Sequence, residues 1–329
     1  MSPRLRPGRR LLKAVAPIAV LLALTTTGLV GWLVYDATRP PRRPYLVTPE
    51  KFELLSHRGL RATEETWQNR DGTAARGWLL RGDASAPAVV VLHRYGADRS
   101  WFLNFGVKLN EATNFTVLWP DLRGHGEQPP VEWSSFGSRE WEDALAAVEY
   151  LRTLKTPQGR PLIGERVGLY GVELGAYAAL TAAAREPRAQ SLVLDSVPSS
   201  PDDVLTSAVR SNTGFDNFVV RFLARAGTRV YFLGGYANTE SCAAARALGQ
   251  RHVLLLAGQD APHLRDSTAA LARCLGPDTV AETVTDLPLT GVTLGTATGE
   301  QGELYDRRAI DFFDRTLRDD KRRTRDDEP

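Results

Sequence analysis

The stretch from Arg166 to Leu180, Arg-Val-Gly-Leu-Tyr-Gly-Val-Glu-Leu-Gly-Ala-Tyr-Ala-Ala-Leu, constrains this chain more than any other. Val167, Leu169 and Tyr170 make a short apolar run of the kind that forms a buried strand. Gly171-Val172-Glu173-Leu174-Gly175 follows, and the small residues from Ala176 to Ala184 read as a tightly packed helix. A strand that passes through a sharp turn directly into a helix is the building unit of a parallel sheet, because parallel neighbours need a crossover connection. The two glycines permit close approach of backbone to backbone at the turn, and the residue between them, Glu173, is presented at the sheet's edge.

The rest of the chain repeats that alternation without an internal repeat. Strands are predicted at Glu64 to Gln68, Ala75 to Leu80, Ala88 to Leu92, Phe115 to Trp119, Arg166 to Tyr170, Ser191 to Leu194, His252 to Ala257 and Ala281 to Leu287. Continuous apolar runs such as Val89-Val90-Val91-Leu92 suit strands covered on both faces. Helices are predicted at Ser100 to Thr113, Ser138 to Leu154, Leu174 to Glu186, Ser241 to Leu248, Leu264 to Leu275 and Glu303 to Leu317; in the second, Trp141, Leu145, Val148 and Leu151 form one apolar stripe. The order implies an α/β fold with a mostly parallel, doubly wound sheet of about eight strands. The formal charge of +2, with basic residues dispersed outside the termini, gives no footprint for nucleic acid.

The N-terminus is of a different kind. Residues 14–35 are 22 residues without a charge, preceded by Arg4, Arg6, Arg9, Arg10 and Lys13. Such a run is long enough to cross a bilayer, so it is read as a transmembrane anchor partnered by lipid, rather than a cleaved signal. The basic residues place segment 1–13 in the cytoplasm and the globular part outside it, although Arg39, Arg42 and Arg43 reduce the asymmetry. Pro40, Pro41, Pro44 and Pro49 make 36–50 an extended linker, 51–318 the globular domain, and 319–329 a charged, solvated tail.

Within the domain, 197–239 is too long for a simple crossover and reads as helical. Phe215, Phe218, Val219, Phe222 and Leu223 keep the spacing of one apolar helix face. Three uses fit such a face: a cap over the sheet's crevice, a surface resting on the membrane, or burial against the core, and the last is the commonest fate of an apolar stripe.

These motifs together resemble the α/β-hydrolase superfamily over roughly residues 60 to 317. His93-Arg94-Tyr95-Gly96 resembles the His-Gly-x-Gly loop whose backbone N–H groups help form an oxyanion hole. Asp121-Leu122-Arg123-Gly124-His125-Gly126 resembles the Asp-x-Arg-Gly-His-Gly segment of many members, and Gly171 to Gly175 resembles the nucleophile elbow. Asp260, after Leu254-Leu255-Leu256-Ala257-Gly258-Gln259, stands where the family's acidic triad member follows a strand. The resemblance implies a helical cap insertion at 197–239 and a site lined by His93, Arg94, Tyr95, Val172 and Leu174.

The chain departs from the family pattern at the chemistry. The elbow residue is Glu173 instead of serine, and the loop Pro288-Leu289-Thr290-Gly291-Val292-Thr293, where the family places its histidine, has none. Of the five histidines, His93 and His125 are expected to brace the crevice loops; His57 and His252 are not placed for catalysis; His263, three residues after Asp260, is a distant candidate base. Arg94 replaces a glycine of the resembled loop, and a pocket carboxylate is costly unless paired, so Arg94 and Glu173 are expected to face each other across the crevice. Cys242 and Cys274 are expected at opposite ends of the sheet, unbridged. The pattern contains no metal or cofactor motif.

Two functions follow from these residues. One is a membrane-anchored α/β-hydrolase-fold protein without serine-hydrolase catalysis, binding a ligand or a protein partner. The other is a hydrolase of small ester, amide or acyl substrates that departs from the triad, with Glu173 as nucleophile or general base and Asp260 or His263 assisting.

Overall fold

The computed structural model describes residues 7–51, 62–294 and 299–318. His57 and the charged tail 319–329 lie outside them.

The chain divides into two compact units, Met1–Ala37 with Leu205–Gly235, and Thr38–Val204 with Tyr236–Pro329. The first contains helix α1 (Pro7–Thr38), which encloses the expected span and tolerates Pro17 in its interior. Its stretch Lys13–Thr38 has a mean hydropathy of 1.9, and it is long and apolar enough to cross a membrane.

The second unit is built on one eight-stranded sheet in the order β1-β2-β4-β3-β5-β6-β7-β8. Strands β1 (Ala62–Gln68) and β2 (Ala74–Leu80) pair antiparallel, and β2 joins β4 in the same sense. From β4 (Thr116–Pro120) through β3 (Ala86–Leu92), β5 (Ile163–Val172), β6 (Ala189–Asp195), β7 (His252–Gly258) and β8 (Val280–Leu287) every pairing is parallel. All eight predicted strands exist. The central ones are buried on both faces, as their uninterrupted apolar runs require.

Helices α2 (Leu103–Thr113), α3 (Glu140–Thr153), α4 (Leu174–Ala183), α5 (Pro201–Thr213), α6 (Phe218–Tyr231), α7 (Ser241–Arg246), α8 (Pro262–Ala272) and α9 (Glu300–Leu317) complete the alternation. The 197–239 segment is helical, but its apolar stripe is not buried against a core. Phe218, Val219 and Phe222 on α6 are 74%, 60% and 60% exposed, and only Ala224 and Thr228 of that helix are buried.

One further expectation is corrected. Cys242 and Cys274 form a disulfide, with their Cα atoms 5.3 Å apart. Helix α7 has six residues, a rise of about 9 Å, which is too short to carry its start away to the far edge of the sheet. The proline-rich segment also touches the sheet unit at Tyr45. Tyr45 packs edge-on against Trp78, with ring centres 5.1 Å apart, and its hydroxyl donates to Asp121 Oδ2 at 2.7 Å.

Candidate functional site

The loops that carry chemistry in a parallel sheet gather at the carboxyl ends of its strands. Here that edge holds His93 to Gly96 after β3, Asp121 to Gly126 after β4, Glu173 after β5, Asp195 and Ser196 after β6, Asp260 after β7 and Thr290 after β8.

Glu173 sits on the sharp turn between β5 and α4 at φ 49° and ψ −109°, a left-handed strained position for a side-chain-bearing residue. The flanking glycines make the turn possible. A Cβ on Gly171 would lie 2.3 Å from the carbonyl oxygen of Gly175, and one on Gly175 would lie 2.3 Å from that of Leu92. Glu173 N–H donates to the carbonyl of Asp195 at 2.9 Å, which ties the turn to β6.

The side chain of Glu173 turns inward and is 9% exposed. Its Oε2 accepts the backbone N–H of Tyr95 at 3.0 Å, and the adjacent Leu174 N–H also favours the charged form of the carboxyl. Tyr95 belongs to the loop after β3, and Leu174 follows the elbow residue. In the elbow geometry these are the two positions that supply an oxyanion hole. The glutamate therefore fills the anion site formed by its own backbone surroundings. Burial pushes its carboxyl above the ordinary carboxylate range, while the Arg94 charge and these two N–H groups pull against that shift.

Arg94 does not meet Glu173 as a direct ion pair. Its Nη1 donates to the carbonyl of Tyr95 at 3.0 Å, and its guanidinium carbon lies 4.7 Å from the ring centre of Trp101. The Nε of Arg94 is buried without a hydrogen-bond partner among the described residues, and Arg94 acts on Glu173 only through space.

His93 and His125 brace loops, as expected. Nδ1 of His93 lies 2.9 Å from the carbonyl of Arg94, and its Nε2 accepts Leu122 N–H at 3.0 Å. Nδ1 of His125 lies 2.9 Å from the carbonyl of Arg123, and its Nε2 accepts Gly96 N–H at 3.2 Å. Each ring thus spends both nitrogens on backbone, in the tautomer with the proton on Nδ1. Burial pushes their pKa values down to about 4 for His93, where the Arg94 and Arg99 charges add to it, and about 3 for His125, where His93 adds to it. His252 opens β7 at the opposite edge of the sheet, and His263 is exposed in the first turn of α8. Val172 is the last residue of β5 and Leu174 the first of α4, both fully buried, so Leu174 serves the site through its backbone.

The far side of the edge holds a polar cluster of the predicted Asp260 with Thr290 and Thr293, and beside it Asp195, which the sequence reading did not single out. Oδ2 of Asp260 accepts from the N–H and hydroxyl of Thr290, both at 3.0 Å, and from the Thr293 hydroxyl at 2.8 Å. Its Oδ1 is buried with no hydrogen-bond partner among the described residues. Thr290 thus stands in the loop expected to hold a histidine, and the acid meets a hydroxyl instead of an imidazole. Asp195, fully buried, accepts from Gly291 N–H at 2.6 Å, Tyr305 hydroxyl at 2.5 Å and Ser196 hydroxyl at 2.8 Å. Burial raises its carboxyl to about 6, since no cation compensates and Asp260 adds a like charge. The position of Asp195 at the end of β6 was the one signal available in the sequence.

Comparisons with known proteins agree with this architecture. No protein-family model matches the chain. Over 124 residues the sequence is 27% identical to the thiohydrolase aneE of Aspergillus aculeatus, a match that covers 37% of this chain and 37% of that protein. The structure is similar to the esterase Pf2001 of Pyrococcus furiosus, at 18% identity, with a TM-score of 0.62, over 85% of this chain and 98% of that one. It is also similar to the alpha/beta hydrolase GrgF of a Penicillium species, at 16% identity with a TM-score of 0.57, over 78% of this chain and 99% of that one.

Proposed function

Because the chain has the α/β-hydrolase fold and carries a glutamate at its elbow, we propose that it is a membrane-anchored protein of that fold without serine-hydrolase catalysis, acting as a module that binds a small ligand or a protein partner. The observation that carries this reading is the hydrogen bonding of Glu173 itself. A hydrolase of this type needs a nucleophile, a base and donors left open for the developing oxyanion. Here the Tyr95 N–H holds a carboxylate, with the Leu174 N–H favouring its charge. A second negative charge from a tetrahedral intermediate at the same place would be repelled.

The alternative is hydrolysis of a small ester, amide or acyl substrate with Glu173 as nucleophile or base. The strained turn and the hydrolases among the similar proteins favour it. It lacks a relay, because the two buried histidines have both nitrogens bound to backbone and Thr290 takes the place next to Asp260.

On this reading α1 anchors the protein in the membrane with residues 1–13 in the cytoplasm and the globular domain outside. The arginines before the span support that direction, and so does the Cys242–Cys274 disulfide, since such bonds persist in oxidising compartments. A serine-reactive fluorophosphonate probe tests the catalytic part. The full-length protein in detergent is expected to remain unlabelled, whereas stoichiometric labelling of any serine would overturn the reading.

A further inference from the structure

The least explained surface of the molecule is on the small unit. Phe215, Phe218, Val219, Phe222, Val230 and Leu233 are each three-fifths or more exposed. An apolar face of that extent on a folded protein marks a surface that something covers.

Helix α6 has three sides, and each points to the same covering. Its small residues Ala224 and Thr228 are buried, and Gly227 lies so close to α1 that an added Cβ would come within 2.5 Å of Val30 and 2.8 Å of Val34. Small residues that let helices approach closely are characteristic of packing against a membrane helix. Arg221, Arg225 and Arg229 recur at four-residue intervals along the flank that adjoins Phe218 and Phe222, with Arg221 3.6 Å from Asp216. The phenylalanine side is the third.

The contact with α1 fixes the depth. Counting about 20 residues for a hydrocarbon core from Lys13 leads to the region of Trp32. Trp32 and Tyr35 are exposed there, the residue types that settle at the membrane–water boundary. Val30 and Val34 bracket that level, and Asp36 accepts a hydrogen bond from Asn212 at 2.9 Å just beyond it. The helix that packs on Val30 and Val34 is therefore held where the span leaves the hydrocarbon.

We infer that α6 is an interfacial helix, with its Phe218–Phe222 face in the acyl boundary of the bilayer and its arginine row at the level of anionic headgroups. The inference rests on the anchoring reading of α1 and extends it from one membrane contact to two.

The test uses the full-length protein reconstituted in vesicles of phosphatidylcholine and phosphatidylglycerol. The native cysteines are bonded to each other, so an environment-sensitive fluorophore attaches to an introduced thiol alone. Labels go at Phe222→Cys and Phe218→Cys on α6, Leu22→Cys in the span, and Arg152→Cys on the exposed end of α3. The α6 labels are expected to emit as in a dry environment, and a shallow nitroxide phosphatidylcholine should quench them several-fold more than the Arg152 label. Water-like, lipid-insensitive emission from both α6 labels, with the Leu22 label quenched, would overturn the inference while leaving the anchor intact. Dry emission without lipid quenching would overturn it in favour of a second copy or another protein on that face. A Leu22 label insensitive to lipid would remove the anchor, and the inference with it.

Discussion

The backbone N–H of Tyr95 donates to Glu173 Oε2 at 3.0 Å, across the crevice between the ends of β3 and β5. That bond joins the loop after β3 to the elbow turn, and it has consequences for stability as well as chemistry.

Removing the carboxylate leaves the buried Tyr95 N–H to find a new partner. Glu173→Ala is expected to destabilise the protein by about 1–3 kcal/mol, the usual cost of leaving a buried polar group unsatisfied. Glu173→Gln, which keeps an acceptor oxygen but loses the charge, should cost less than the alanine variant. Chemical denaturation of the three proteins at one pH measures the order; a Glu173→Ala variant as stable as its parent would mean the bond is incidental.

Asp195 gives the protein a pH dependence of definite sign. Its folded pKa of about 6 stands above the ordinary value of 3.8, so the folded state binds the extra proton between those values. Its contribution is fully present below about pH 4 and is lost as pH rises through 6. Asp195→Asn removes that loss, so its stability relative to the parent should improve by about 2–3 kcal/mol between pH 4 and pH 7, from the free-energy equivalent of the shift. Urea unfolding at the two pH values reads the difference. An unchanged difference would show that Asp195 is not buried as a lone acid.

His93 and His125 should not titrate in the usual imidazole range. With pKa values near 4 and 3, both are expected to remain neutral, protonated on Nδ1, down to about pH 5. Long-range 1H–15N correlation of the rings shows the tautomer directly. A midpoint near 6.5 for either ring would contradict the backbone bonds assigned to it.

The Cys242–Cys274 bond closes a loop across 32 positions. Replacing both cysteines by serine should lower stability by about 3–4 kcal/mol on the chain-entropy argument. The comparison is made by denaturant unfolding of the oxidised parent and the double variant.

The fold was legible because its signals are local and repeated. Runs such as Val89 to Leu92 and the Gly171 to Gly175 turn specify strand, crossover and parallel pairing within a few residues of themselves. The site was only half legible. Glu173, the histidine-free loop around Thr290 and the bracing roles of His93 and His125 follow from position along the chain. What Glu173 binds does not, because the nearest donors are backbone groups at Tyr95 and Leu174, and backbone carries no sequence signature. The same limit explains the misplaced Arg94, whose choice between a carboxylate and the Trp101 ring is decided by tertiary geometry. The exposed stripe of α6 misled for another reason: periodicity reports that a face is apolar, and burial against core or lipid satisfies it equally.

The central claim is that the elbow glutamate occupies the anion site and leaves no hydrolytic machinery. Turnover of short-chain p-nitrophenyl acyl esters by the full-length protein and by Glu173→Gln tests it most directly. Both are expected to match the buffer rate across pH 5 to 9. Hydrolysis by the parent that disappears in Glu173→Gln would contradict the account and make the glutamate a catalytic group.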